Sequence, residues 1–234
     1  MNIVVCLSGQ VAVGTLLPNE RRALALARAL SGGHLLTAVL AGSRQEGDAL
    51  AVALAMGADR AIRIAGDGFV STDFHTLGQV LARAVRPLGA QLVLAGARSD
   101  NERLGALSAS VARHIGVPHL AGIESLDPLG EAERPAGSRA TLAVTVRGGG
   151  RRRRLAIEPP FVMSVAGGGD EPPVALDDAA RAALVARIEV SALADPEATV
   201  LRRRTEILGV SEAVVRATTE VASAAELLAK LGAA

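Results

Sequence analysis

Aromatic side chains are almost absent from this sequence, which has three phenylalanines and neither tryptophan nor tyrosine in 234 residues. Half of the residues are hydrophobic, so alanine, leucine and valine must fill the interior of the fold. Cysteine is equally scarce. Because Cys6 is the single cysteine, an internal disulfide and a cysteine-based metal site are both excluded.

Charge and hydrophobicity are not concentrated enough to indicate a nucleic-acid or membrane partner. The formal net charge is +1, which gives no general attraction to nucleic acid. No apolar run reaches the roughly 18 residues needed to cross a bilayer. The first residues, Met1–Leu7, lack the basic region and cleavage pattern of a signal peptide. These features predict a cytoplasmic protein that does not insert into membranes.

Strand-like and helix-like segments alternate along most of the chain. In Ala53–Ile62 a helix end, a glycine turn at Gly57 and a strand follow one another directly. The predicted strands are Ile3–Leu7, Leu35–Ala41, Ala61–Ile64, Gln91–Ala95, Ala140–Val146, Arg151–Ile157 and Phe161–Val165. The predicted helices are Glu20–Leu30, capped by Asn19, Gln45–Met56, Thr72–Val85, capped by Ser71, and Leu104–Ile115. This pattern predicts an α/β fold: a Rossmann-like, doubly wound, mostly parallel sheet with an antiparallel hairpin.

A glycine- and proline-rich segment, Gly167–Pro173, predicts a linker. We therefore expect a Rossmann-like, adenine-nucleotide-binding domain over residues 1–166, and a linker with an extended C-terminal arm over residues 167–234. Within the arm, Asp177–Val185 is predicted to be helical and Ile188–Val190 extended. Such an arm packs either on its own domain or on a partner subunit, and we expect the partner subunit.

Three loops are candidates for a ligand site, because ligands of open parallel sheets bind beyond the carboxyl ends of the strands. They begin at Leu7, Ala41 and Gly96, and each leads from a strand with small residues into a helix, whose first amide groups suit phosphate oxygens. The candidate cofactor-binding residues are Cys6, Leu7, Ser8, Asn19, Ala41, Gly42, Gly96, Ala97, Arg98, Ser99, Asp100, Asn101 and Gly105. The alternative for each loop is an ordinary turn, with Asp100 capping a helix.

Other chemistries find less support in the residues. There is no G-x-G-x-x-G, P-loop or G-x-S-x-G motif, and Ser8 has no evident base. The four histidines show no ligand spacing, and Cys6 in a core strand is expected to be a small buried hydrophobe. The tract Arg151–Arg154 is expected to form a solvated edge strand whose arginines alternate between faces. We therefore predict no catalytic residue and no metal site.

Four segments of the chain resemble the beta subunit of electron transfer flavoprotein. They are Ala51–Ile62 with its Ala-Leu-Ala-Met-Gly-Ala-Asp-Arg core, Gln91–Gly96 continuing to Gly116-Val117-Pro118, the hairpin Thr141–Ile157 with Pro159–Val165, and Asp170-Glu171-Pro172 with Ile188–Asp195. The resemblance implies an electron-carrying heterodimer. Its alpha subunit would hold most of the FAD contacts, and AMP would lie in the three loops above. The pair would take electrons from a flavin dehydrogenase and pass them towards the quinone pool. The resemblance also places Val174 and Leu176 in the segment that recognises a partner.

The chain departs from the pattern of this family at several positions. Ser8 stands where the family has a basic residue, and Leu17–Glu20 only approximates its Asn-Pro-x-Asp/Glu motif. The loop Asp100–Gly105 is shorter, with Leu104 at the threonine position. AMP, FAD or no ligand therefore remain alternatives for the second nucleotide. The competing functions are a stand-alone homodimeric AMP/ATP sensor and, less well supported, a small hydrolase or transferase.

Overall fold

The apolar run at the start of the chain forms an inner strand of a nine-stranded sheet in the computed structural model. The structure describes residues 1–8, 16–30, 33–45, 47–65, 73–97, 106–148, 150–166 and 172–192. The strands are β1 (Asn2–Leu7), β2 (Leu35–Gly42), β3 (Arg60–Ala65), β4 (Leu92–Gly96), β5 (His119–Pro128), β6 (Leu142–Gly148), β7 (Arg151–Ile157), β8 (Phe161–Val165) and β9 (Glu189–Ala192). The helices are α1 (Pro18–Ala29), α2 (Asp48–Ala55), α3 (Phe74–Val85), α4 (Leu107–Ile115) and α5 (Asp178–Val185).

The strand order across the sheet is β7-β6-β5-β8-β4-β1-β2-β3-β9. Strand β6 runs antiparallel to β5 and β7, and the other neighbouring pairs are parallel. From β1 the chain adds β2 and β3 on one side and then places β4 on the other side, so the strand order reverses between β1 and β4. This topology confirms the predicted α/β class with a doubly wound, mostly parallel sheet.

The inner strands are buried on both faces, as their nearly continuous apolar sequences predict. In β1, Ile3, Val5 and Leu7 join a core with residues of α1 and α2. The intervening Val4 and Cys6 join a second core with residues of α3 and α4. Two helical layers therefore sandwich the sheet, and the alternation of β1 side chains between them follows from the pleat of a strand.

Local signals set several helix ends. Gly57 has a φ of 96°, and the Ala58 N–H donates to the Ala53 carbonyl at 3.0 Å, which closes α2 as predicted. Helix α1 starts earlier than predicted, because Pro18 takes the first helical position and Leu17 is the N-cap. The prediction that Asn19 caps this helix was therefore wrong. Asp73 caps α3 by accepting the Thr76 N–H at 2.8 Å; the predicted cap, Ser71, lies outside the described residues.

Strand β5 was not predicted. Its segment mixes Glu124, Ser125 and Asp127 with apolar residues, and its pairing register shifts between Leu120 and Ile123. A bulge of this kind breaks the period-two alternation that identifies a strand in sequence.

Residues 172–192, the part of the predicted arm that the structure describes, pack on the sheet of the same chain. Strand β9 pairs with β3 in parallel, and Arg60 forms a bidentate ion pair with Glu189 at 2.8 and 2.9 Å. Leu184 of α5 and the following Ile188 pack on the core formed by α1 and α2. The predicted helix and extended piece are therefore confirmed, whereas the division at residue 166 stays a prediction. No helix in the described ranges is long and apolar enough to cross a membrane.

Candidate functional site

The carboxyl ends of β4, β1 and β2 lie side by side at one edge of the sheet. Cys6 of β1 pairs with Ala95 of β4 on one side and with Val39 of β2 on the other. Because the three strands are parallel, the residues that follow them meet at this edge, where the strand order also reverses. Six of the predicted cofactor-binding residues are brought together here: Leu7, Ser8, Ala41, Gly42, Gly96 and Ala97.

The start of α1 crosses over the carboxyl end of β4. A Cβ atom added to Gly96 would lie 2.8 Å from both Cγ and Nδ2 of Asn19, closer than real contacts allow. Asn19 is buried at the second position of α1. The structure therefore brings Asn19, another predicted site residue, to the carboxyl end of β4 beside β1, and glycine at position 96 permits this approach.

Glu20, which the sequence analysis did not identify as a site residue, connects the end of β1 with the start of α1. Glu20 is 1% exposed. Oε1 accepts the Ser8 N–H at 2.6 Å and the Ser8 hydroxyl at 2.7 Å, and Oε2 accepts the Leu17 N–H at 3.0 Å. The signal available in the sequence was an acid in the first turn of a helix that begins with proline.

Hydrogen-bond donors at this edge are largely engaged by the protein itself. Ser8 gives both its N–H and its O–H to Glu20, so its hydroxyl can offer a ligand only an acceptor oxygen. The Ala97 N–H donates to the carbonyl of Val165 at 2.9 Å. These three donors, at the ends of β1 and β4, are therefore not available to a phosphate group without breaking a bond within the protein.

The side chains of three predicted site residues belong to the core. Leu7 packs into the layer of α1 and α2, while Cys6 and Ala41 pack into the layer of α3 and α4. Burial also raises the pKa of the Cys6 thiol to about 12, so the thiol stays protonated at neutral pH. Any contact of these residues with a ligand is therefore expected through their backbone.

The remaining predicted site residues either lie outside the described residues or pack elsewhere on the fold. Arg98, Ser99, Asp100, Asn101 and Gly105 lie outside the described residues. The predicted partner-binding residues Val174 and Leu176 are half-buried and pack on the core formed by α1 and α2. Their roles in cofactor and partner binding stay predictions.

Three of the histidines contact a side chain of a neighbouring element. The rings of His75 and His114 lie 4.9 Å apart, and His119 Nε2 lies 3.0 Å from the hydroxyl of Ser108. Burial lowers the pKa of His119. Ser108 is fully buried and His119 is half-buried, so this pair joins α4 to β5. Within the described ranges no group of three or more His, Cys, Asp or Glu side chains could hold a metal ion.

The arginines of β7 alternate between the two faces of the sheet, as predicted. Arg152 contacts Glu124 at 2.7 Å, and Arg154 contacts Asp127 and Glu133 at 3.4 and 3.2 Å. Arg151 and Arg153 lie on the opposite face of the strand.

The open sheet and the reversal of its strand order define a Rossmann-like α/β protein. Comparison with known families then identifies the family: the chain belongs to the electron transfer flavoprotein domain family, whose model matches residues 8–196.

Curated relatives in this family are named electron transfer flavoprotein subunit beta. The protein from Clostridium acetobutylicum is 29% identical over 152 residues, which cover 56% of this chain and 58% of the relative. The protein from Mycobacterium tuberculosis is 37% identical over 86 residues, covering 36% of this chain and 32% of the relative. That from Methylophilus methylotrophus is 28% identical over 102 residues, covering 44% and 37%. The chain thus spans between about a third and somewhat over half of the length of these relatives.

Proposed function

We propose that this chain is the beta subunit of an electron transfer flavoprotein. It pairs with an alpha subunit that carries FAD, receives electrons from a flavin dehydrogenase and delivers them towards the quinone pool. The chain performs no catalysis by itself. The observation that carries this proposal is the sheet edge at which the strand order reverses between β1 and β4, found in a chain of the electron transfer flavoprotein domain family.

The role of this polypeptide is to bind and to position. FAD supplies the redox chemistry when bound, and most of its contacts belong to the alpha subunit. In this chain, Ser8, Asn19, Gly42, Gly96 and Ala97 lie where they could contact the base and ribose of an adenylate. The small residues leave space, and the Ser8 hydroxyl oxygen can accept a hydrogen bond. AMP is the adenylate that we propose for this edge.

Co-expression tests the proposal. The full chain should form a one-to-one yellow complex with an electron transfer flavoprotein alpha chain from the same genome, whereas the chain alone should be colourless. Flavin absorbance during size-exclusion chromatography reports both properties, and mass spectrometry after denaturation identifies the small molecules released. We expect FAD and AMP from the complex.

Three results would contradict the electron-transfer role. A colourless complex, or no complex with any alpha chain of that genome, would remove the electron-transfer role. A stable homodimer that binds ATP tightly without a partner would instead indicate a nucleotide sensor. Release of FAD without AMP would retain the electron-transfer role and remove AMP from the edge.

A further inference from the structure

Glu20 places a carboxylate at the start of the first helix, where many nucleotide-binding sheets hold phosphate. In those proteins the amide groups at the helix N-terminus bind phosphate oxygens, helped by the helix dipole. Here Glu20 lies in the first turn of α1 and is 1% exposed, and its carboxylate accepts the Ser8 N–H, the Ser8 O–H and the Leu17 N–H. The chain thus supplies an anion of its own at this position.

Donors on both sides of this carboxylate, at the end of β1 and the start of α1, already bind it. The Ser8 N–H, the Ser8 O–H and the Leu17 N–H all point to Glu20. Pro18 has no N–H, and the N–H groups of Glu20 and Arg21 donate to the Leu17 carbonyl at 3.0 and 2.9 Å. A phosphate here would have to displace a buried carboxylate or approach it with like charge, and both cost free energy.

We propose that Glu20 is a specificity-determining residue that excludes phosphate from the Ser8 amide at the end of β1 and the Leu17 amide at the start of α1. A nucleotide bound at this edge then presents its uncharged base or ribose to Ser8 and Leu17, with its phosphate directed away from them. The orientation of the nucleotide rests on the function proposed above. The exclusion of phosphate rests only on the geometry of Glu20.

Backbone amide chemical shifts of the ¹⁵N-labelled full chain test the exclusion directly. Inorganic phosphate should leave the Ser8 and Leu17 amide signals of the wild type unchanged. In Glu20→Ala, the same two signals should move saturably, with a phosphate affinity at least about tenfold higher than in the wild type, because vacated amide donors bind anions. Glu20→Gln, which keeps one acceptor oxygen, should show a smaller response.

Asp48 supplies a matched control. It is also an acid in the first turn of a helix, α2, but its side chain is 41% exposed and lies near Arg181. Asp48→Ala removes the same charge elsewhere and should leave the Ser8 and Leu17 signals insensitive to phosphate. Circular dichroism establishes that each variant is folded before its titration is interpreted.

The wild type provides a second measurement that needs no variant to fold. If the inference is correct, adenosine and AMP shift the Ser8 and Leu17 amides alike. A response to AMP or inorganic phosphate but not to adenosine would place phosphate at this connection and overturn the inference, as would a folded Glu20→Ala that gains no phosphate response. If neither adenosine nor AMP binds, the proposed nucleotide site fails, while the phosphate titrations still decide the role of Glu20.

Discussion

At the residue scale, Gly78 shows how a missing side chain sets the distance between two helices. A Cβ atom at this position would lie 2.3 Å from Oγ and 2.5 Å from Cβ of Ser110 in α4. In an unobstructed helix interior, replacing glycine by alanine stabilises by about 1 kcal/mol. We expect Gly78→Ala instead to destabilise the protein by about 1–3 kcal/mol, because the helices must separate to admit the methyl group.

Urea unfolding of Gly78→Ala measures this effect. Gly130→Ala is the matched control: Gly130 has a φ of −64°, and an added Cβ would have the Glu133 carboxylate at 3.9 Å as its nearest neighbour. The control should unfold like the wild type. A Gly78→Ala variant as stable as the wild type, or more stable, would show that α3 and α4 do not approach each other this closely.

His119 should make the stability depend on pH. Burial lowers its pKa in the folded state, so the unfolded chain, with a pKa near 6.5, binds the proton first as the pH falls. Its contribution to stability is therefore complete above about pH 6.5 and is lost as the pH falls through the folded-state pKa.

Replacing His119 with Gln keeps a group that can hydrogen-bond Ser108 but does not titrate. We expect the loss of stability between pH 8 and pH 5 to be smaller in His119→Gln than in the wild type, with both followed by urea unfolding. Identical pH dependence in the two proteins would contradict the assignment of this effect to His119. Protonation of carboxylates affects both proteins and cancels in the comparison.

At the element scale, α5 and β9 make the arm part of the fold. Leu184 and Ile188 pack on the core, whereas the Arg60–Glu189 ion pair is largely exposed and contributes at most about 1 kcal/mol. Burial of Leu184 and Ile188 should therefore contribute more to the free energy of unfolding than this ion pair does. A chain truncated after Ala192 keeps these contacts, and one truncated after Gly169 loses them. We expect the second truncation to unfold at a clearly lower urea concentration than the first, and equal midpoints would contradict this view.

Most elements could be predicted because their signals are local. The helix end at Gly57 and the strand after it lie within ten residues of sequence, and β1 is identified by an uninterrupted apolar run. Two features could not be predicted. The bulged β5 lacks a regular period, and the position of β8 between β4 and β5 depends on pairings between residues distant in sequence.

The candidate site also has a part that could be predicted from the sequence and a part that could not. The meeting of Leu7, Gly42 and Gly96 follows from the rule that parallel strands end at one edge. The contact of Glu20 with Ser8 depends on where α1 returns across that edge, which no short motif specifies. The sequence therefore indicated which strand ends meet at the candidate site, but not the carboxylate that accepts hydrogen bonds from Ser8 and Leu17.

At the scale of the whole molecule, the same two truncations bear on partner binding. The full chain should bind the proposed alpha subunit, and the chain truncated after Gly169 should not, because extended arms commonly contribute interface area. Truncation after Ala192 separates the role of α5 and β9 in stability from a role of the arm in partner binding. If residues 193–234 make the contact, this variant stays folded but no longer copurifies with the alpha chain. Copurification of the chain truncated after Gly169 at the level of the full chain would refute a partner-binding arm, whereas copurification of only the chain truncated after Ala192 would assign the contact to residues 170–192.

The arginines of β7 have a consequence for handling this protein at high concentration. Strand β7 is the last strand of the described sheet on its side, so its outer backbone groups are a template for another strand. A second copy approaching in that way would bring arginine against arginine along the tract Arg151–Arg154. Electrostatic repulsion should therefore keep newly made or refolding chains from stacking into fibrils.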